Sequence, residues 1–261
     1  MILGLFVLAS ITPELHAHLP LWGSPNPPCL AQDMTVLDLI QLLGPFSELD
    51  DDFESGILDP SWQVANPANY TREFVSGRLI LTPLGYTQWY QAENSGGLLS
   101  KLVEGNVKIT ARIRARSVNN PSQPVTGGPF QLGGLMLRNP NSAQENYVFV
   151  AVGLSGGDLA IETKTTQNSG SSFQASFWGT GDAELRLCRI GQRFFMYARP
   201  LGGGTWQFGT PAVPYFDRPD LPWTLMAGPI AYGPTASPDL QAEFEEIRYE
   251  PAFNECDCTN D

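Results

Sequence analysis

The sequence predicts an all-β protein whose spine is a curved antiparallel sheet. Three features point there. Residues 105–164 read as three to four strands joined by turn-rich connections; Gly 26 and Pro 22 among 261 residues supply many turns; and charged residues make up only 16%, with no long amphipathic helix among them. A chain of this length fits one large sandwich domain.

The chain opens on ILGLFVLASI at residues 2–11, an apolar run of signal-peptide length that falls well short of the roughly 20 residues needed to cross a bilayer. A small-residue site follows at Leu15-His16-Ala17, although no Lys or Arg precedes the run. Residues 1–17 are therefore expected to be a signal peptide and the protein to be secreted or extracellular, with the periplasm or cell envelope as its other destinations. Residues 18–48 read as a Pro-rich linker and one short N-terminal helix at 35–44. There Thr35 can cap, Val36, Ile40 and Leu43 share a face, and Gly44 stops the turn.

From residue 49 strand-like runs follow at 72–82, 87–91, 97–103, 107–116, 135–138, 147–152, 159–164, 173–178, 183–190, 193–199, 206–208, 225–232 and 240–250, separated by Gly, Pro, Asn and Ser. Period 2 is cleanest where Val107, Ile109, Ala111, Ile113 and Ala115 alternate with Lys108, Thr110, Arg112, Arg114 and Arg116. One face of that strand is buried. Leu135 and Leu137 alternate with Met136 and Arg138 in the same way, and Leu159 and Ile161 with Glu162 and Lys164. A meander of these strands would present Arg112, Arg114, Arg138, Glu162 and Lys164 as one mixed-charge ladder. That ladder is either a set of cross-strand ion pairs or a polar surface for sugar hydroxyls. In the last run the phase slips, which predicts a bulge at residues 245–246.

Charge and composition exclude several functions. A net charge of -12 with three lysines, Lys101, Lys108 and Lys164, argues against nucleic acid and anionic membranes as partners and leaves neutral ligands, sugars among them, open. Membrane insertion is not expected. His16 and His18 are the only imidazoles and both lie in the first eighteen residues, ahead of the sandwich, so Ser-His-Asp triads, Cys-His dyads and HExxH zinc sites are excluded from the folded domain. The cysteines are Cys29, Cys188, Cys256 and Cys258. Cys188 reads as a small core residue, while the polar tail at 251–261 carries either free thiols or a partner for Cys29.

The succession DDFESGILDPSW, SGRLILTP, GGLLSKLVEGNVKITARIRA, LGGLMLRNPNSAQENYVFVAVG, ELRLCRIGQRFFMYARPLGGGTWQFG and FEEIRYE resembles the concanavalin A-like lectin/glucanase superfamily. Within it, the likeness is to sandwich modules at the C-terminus of β-xylosidases and in secreted bacterial proteins. The resemblance implies a two-sheet antiparallel jelly-roll sandwich over residues 49–250, with one concave face that often binds carbohydrate. It also implies a structural Ca²⁺ near Glu246, with Asp51 or Asp52 beside it.

The glucanase branch sets its acids as Glu-x-Asp-x-Glu on one strand, which period 2 aims into the cleft with the working pair about 5 Å apart. The corresponding strand here, GDLAIETK, has Ala160 between Asp158 and Glu162. A retaining glucanase mechanism is therefore not expected. Sugar sites combine aromatic platforms with a few polar groups, and the candidates are Trp89 or Tyr90, which alternate on their strand, with Tyr147, Trp178, Arg112, Arg138 and Glu162. Trp62 and Trp206 fall within the structural motifs and are assigned to the core. The expected function is a secreted, non-catalytic carbohydrate-binding module whose partner is a glycan or polysaccharide. The alternatives are a structural or protein-interaction module of the cell envelope, or a glycan-active hydrolase.

Overall fold

The computed structural model describes residues 46–261. The expected signal peptide, the linker, the helix at 35–44 and any bridge from Cys29 lie outside the described residues.

After a single 3-10 turn at Phe46–Leu49 the described chain is built of strands. One sheet has seven: β1 (Gln63–Ala65), β6 (Gly97–Glu104), β16 (Thr224–Tyr232), β8 (Phe130–Arg138), β9 (Tyr147–Ser155), β10 (Asp158–Gln167) and β11 (Gly170–Phe177), in that spatial order. The other has eight. It runs β14 (Gln207–Phe208), β13 (Arg193–Arg199), β12 (Asp182–Ile190), β7 (Val107–Ser117), β17 (Leu240–Pro251), β3 (Leu79–Pro83) and β2 (Tyr70–Phe74), with β15 (Tyr215–Asp217) also on β13. A two-stranded hairpin, β4 (Trp89–Tyr90) and β5 (Glu93–Asn94), stands apart. Neighbouring strands pair antiparallel throughout, so the architecture is the expected all-β sandwich.

The core lies between the two large sheets. Val107, Ile109, Ala111, Ile113 and Ala115 of β7 all point into it, beside Leu185 and Leu187 of β12 and Phe244, Ile247 and Tyr249 of β17. Leu135 and Leu137 of β8, Val148, Val150 and Val152 of β9 and Ile161 of β10 meet them from the other sheet. The alternation seen in the sequence is thus the alternation of the fold. The bulge falls where the phase slip put it, between Phe244 and Ile247.

Two expectations need correction. The strand at 135–138 begins earlier, at Phe130, and runs through Gly133 and Gly134, which resemble a turn in sequence. A Cβ on Gly134 would lie 2.6 Å from the Cβ of Ala151 and 2.2 Å from the carbonyl of Val150, so the glycine serves close packing on the adjacent strand. Second, the mixed-charge ladder is divided between sheets. Arg112 and Arg114 sit on β7 in the eight-stranded sheet, whereas Arg138, Glu162 and Lys164 belong to the seven-stranded one. On β7, Arg112 and Arg114 both grip Glu245 of the bulged strand, Arg112 at 3.0 Å.

The tail is not a loose polar appendage. Cys258 is disulfide-bonded to Cys188 of β12, 70 residues earlier, and both sulfur-bearing residues are buried with Ala252, Phe195, Tyr197 and Trp206 in a cluster on the outer side of the eight-stranded sheet. Cys188 is therefore a bridge anchor, and Trp206 belongs to this outer cluster. The guanidiniums of Arg186 and Arg199 lie 4.0 and 4.2 Å from the Trp206 ring. They also bind the Asp261 carboxylate at 3.1 and 2.5 Å, while Arg186 donates to the carbonyls of Cys258 and Asn260 and Lys108 donates to Asn260.

Candidate functional site

The outer face of the seven-stranded sheet carries its own apolar layer. Leu132 and Met136 of β8, Tyr147, Phe149 and Ala151 of β9, and Ile230 and Tyr232 of β16 form it, with Leu98 of β6. Such a layer must be covered, and the β4–β5 hairpin covers it. Trp89 is fully buried and meets Tyr147 edge-on at 5.8 Å; Tyr147 stacks on Phe149 at 6.0 Å, and Phe149 leans on Tyr232 at 5.9 Å. The indole reaches this depth because Gly96 has no side chain: a Cβ there would come within 2.2 Å of the Trp89 Nε1.

Two charges are set into this apolar layer. Period 2 puts Glu162 and Lys164 of β10 on the outer face, and they are 0% and 4% exposed. Lys164 Nζ lies 3.0 Å from Glu162 Oε1 and donates to the main-chain oxygen of Trp89 at 3.0 Å. Tyr232 donates its hydroxyl to Glu162 Oε1 at 3.0 Å, and Ser155 donates to Oε2 at 2.5 Å. A buried carboxylate is tolerated only when hydrogen-bonded and paired in this way. Burial holds the Lys164 ammonium below its ordinary pKa, with the Glu162 charge pulling it back up. Burial and the adjacent Glu162 carboxylate together raise the Tyr232 phenol well above its own.

Beside the pair opens a pocket of about 270 Å³ lined by Gln88, Tyr90, Phe130, Lys164, Phe173, Tyr232 and Pro234. Phe173 of β11 is the wall against which both Tyr90 and Phe130 stand edge-on, at 6.4 and 5.9 Å. The lining is mostly aromatic, with the Lys164 ammonium, the Gln88 amide and the hydroxyls of Tyr90 and Tyr232 as its polar groups. The volume sits near the lower end of small-molecule sites, roughly 300 Å³. It suits one ring.

Of the residues expected at a sugar site, Tyr90 lines this pocket and Glu162 lies behind it, held by Tyr232 and Lys164. Trp89 and Tyr147 are on the same sheet face but buried, as packing rather than platform. Arg138 makes a two-point contact with Glu145 at 2.8 and 3.0 Å and lies 5.8 Å from the Trp89 ring, and Glu145 accepts from Asn94 of the hairpin at 2.9 Å. Arg138 therefore fastens the hairpin. Arg112 is on the other sheet and pairs with Glu245, and Trp178 donates to the Asp182 carbonyl at 2.8 Å while packing on the inter-sheet core. Neither belongs to the pocket. Tyr232, Phe130, Phe173, Gln88 and Pro234 are pocket residues that the sequence argument passed over, and Lys164 is one that it put in the mixed-charge ladder but not among the site residues. The usable signal was Lys164, a rare lysine in phase with Glu162.

No protein-family model matches the chain, and no curated protein matches it. Similar solved structures do exist. A protein of unknown function from Saccharomyces cerevisiae superposes with a TM-score of 0.59 at 15% identity, over 78% of this chain and 100% of that one. A xylan β-1,4-xylosidase from Bacillus halodurans C-125 gives a TM-score of 0.58 at 14% identity, over 87% of this chain and 40% of the xylosidase, so the chain spans well under half of that enzyme. Lectin I-B4 from Griffonia simplicifolia gives 0.50 at 12% identity, over 75% of this chain and 95% of the lectin.

The fold is concanavalin A-like. In this concanavalin A-like sandwich the acidic residues expected to hold calcium do line one cleft, where Asp50, Asp51, Asp52, Asp59 and Glu246 gather. Their carboxylates are otherwise engaged. Asp51 accepts from the Phe53 amide at 2.9 Å and from the Trp62 indole at 2.7 Å, Asp52 accepts from the Glu54 amide, and Glu246 pairs with Arg248 at 2.7 Å. Among the described residues no group of three or more His, Cys, Asp or Glu is arranged to hold a metal. The Asp51, Asp52 and Glu246 carboxylates are each turned to a protein donor in this arrangement. Asp51 acts instead as a strut, since its main chain also bridges to Ile247 of β17.

Proposed function

We propose that the protein is a secreted, non-catalytic carbohydrate-binding sandwich module that takes one terminal sugar ring of a glycan into the pocket beside Lys164. The observation that carries this reading is the pocket itself: an aromatic-walled, single-ring-sized recess with a cationic donor, on the outer face of one sheet. Pyranose rings offer apolar C–H faces for stacking on Tyr90 and Phe173, and hydroxyls that accept from Lys164 or Gln88. Fold similarity to a lectin and to a xylosidase is in keeping with a glycan ligand.

Export is supported by the Cys188–Cys258 disulfide, because such bonds persist in oxidising compartments. The test is a glycan array with the full chain, followed by calorimetry on any hit. Phe173→Ala is expected to weaken binding roughly tenfold, the equivalent of one lost stacking contact. Absence of binding to every glycan, or unchanged affinity in Phe173→Ala, would overturn the reading.

A further inference from the structure

The chain has three lysines, and each of them is buried: Lys101 is 3%, Lys108 5% and Lys164 4% exposed. Lys101 donates to the Leu49 carbonyl over the Trp62 ring, and Lys108 is held by Asn260 and Glu250. Of the three, Lys164 is the one that lines the aromatic pocket. An ammonium has three N–H donors. Two of those of Lys164 are spent on Glu162 and Trp89, and around Nζ stand the rings of Phe149, Phe173, Tyr232 and Tyr90 at 4.8, 5.2, 5.3 and 5.5 Å. Three of those rings are pocket walls.

We propose that Lys164 is a carbonyl-capturing amine, which condenses with the open-chain aldehyde of a reducing sugar to form an imine in this pocket. The proposal rests on the pocket being a sugar site, and adds that the sugar is the reducing end.

The proton inventory closes within the pair. A buried ion pair is costly, and passing one proton across the 3.0 Å from Nζ to Glu162 Oε1 leaves a neutral amine and a neutral carboxyl group. The amine lone pair attacks the aldehyde carbon, the N–C bond forms as the C=O π pair moves to oxygen, and one N–H proton shifts to that oxygen to give a carbinolamine. Glu162 returns its proton to the nitrogen it faces at 3.0 Å, an N–H proton passes on to the carbinolamine hydroxyl, and that hydroxyl leaves as water while the C=N bond forms. The product is a protonated imine beside the Glu162 carboxylate, so the charge pair of the resting state is restored. Sugar aldehyde plus ammonium yields iminium plus water, with no oxidant or reductant involved. The aromatic walls exclude water from the product, which favours the dehydrated form. Burial also lowers the ammonium pKa, which increases the fraction present as free amine.

The test is reductive trapping. The full chain is incubated with glyceraldehyde and cyanoborohydride near neutral pH, and the adducts are mapped by peptide mass spectrometry. The expected result is label at Lys164 with Lys101 and Lys108 unmodified, and trapping slowed roughly 100-fold in Glu162→Gln, which removes the proton carrier. Lys164→Arg should abolish the adduct; because the wild-type map already decides the matter, the test survives a failure of either variant to fold. Label absent from Lys164, or spread equally over the three lysines, would overturn the proposal. Methyl glycosides have no free aldehyde and separate the two readings: if they bind and no adduct forms, the glycan site stands and the covalent step falls.

Discussion

The main-chain oxygen of Trp89 lies 3.0 Å from Nζ of Lys164, so the β4–β5 hairpin is fixed to the sheet beneath it by a buried charge. Hairpin and ion pair therefore stand or fall together. Trp89→Ala is expected to cost about 3–5 kcal/mol by emptying the space of a buried indole. Urea unfolding measures this, and hydrogen exchange should show protection lost along β9 and β10 under the displaced hairpin.

Removing one partner of the Glu162–Lys164 pair leaves the other buried without its counter-charge. Glu162→Ala is expected to destabilise by about 3–5 kcal/mol, and the double variant Glu162→Ala/Lys164→Met by clearly less than the sum of the singles. A double-mutant cycle in denaturant checks it. Additive losses would mean the pair is not coupled.

The Cys188–Cys258 bridge closes 70 residues of chain. By loop-closure entropy its loss should cost roughly 4 kcal/mol. Cys258→Ser, or wild type in reductant, is expected to melt at lower temperature and to release the tail, visible as increased proteolysis after residue 252.

Two carboxylates make acid the weak side of the stability profile. Around Asp261 the hydrogen bond from Arg199 outweighs burial and holds the pKa at about 2, and around Glu245 burial pushes upward but Arg114, Arg112 and Arg78 hold the carboxyl below its usual range. Both folded pKa values lie beneath the unfolded ones, so this stabilisation is present above the unfolded values of about 4 to 4.5 and is lost as pH falls through the folded ones, about 2 for Asp261. Asp261 is largely exposed, and solvent screening limits its share to about 1 kcal/mol or less. A melting series from pH 5 to pH 2, flattened in Asp261→Asn, measures that share.

Asp51 is a strut on two donors. Asp51→Ala should cost about 1–3 kcal/mol by orphaning the Trp62 indole and the Phe53 amide. Calcium or chelator should leave the wild-type Tm unchanged; a calcium-dependent rise would mean that Asp51 trades its donors for metal.

Much of the sandwich was legible because period 2 is a local property. Val107 to Ala115 alternate in sequence and alternate in space, and the phase slip before Ile247 marks a real bulge. Which strands share a sheet is a long-range property, and Arg112 and Arg138 were separated by a topology that no local pattern encodes. The pocket was harder still. Tyr90, Phe130, Phe173 and Tyr232 come from a hairpin and three different strands, and only the folded hairpin brings Tyr90 onto them. Cys188 looked like a core residue because its strand is buried; its outward direction and its partner 70 residues on were invisible to spacing.

Strand β17 is made last among the described strands yet lies in the middle of its sheet, between β7 and β3. Until residues 240–251 leave the ribosome, β7 and β3 each present an unpaired edge, and the core side chains of both face a gap where Phe244, Ile247 and Tyr249 belong. Folding of this sandwich must then wait until residue 251 has been made, and the nascent chain until then has two open edges that invite pairing with a neighbour. Synthesis truncated before residue 240 should yield aggregates rather than a smaller soluble sandwich.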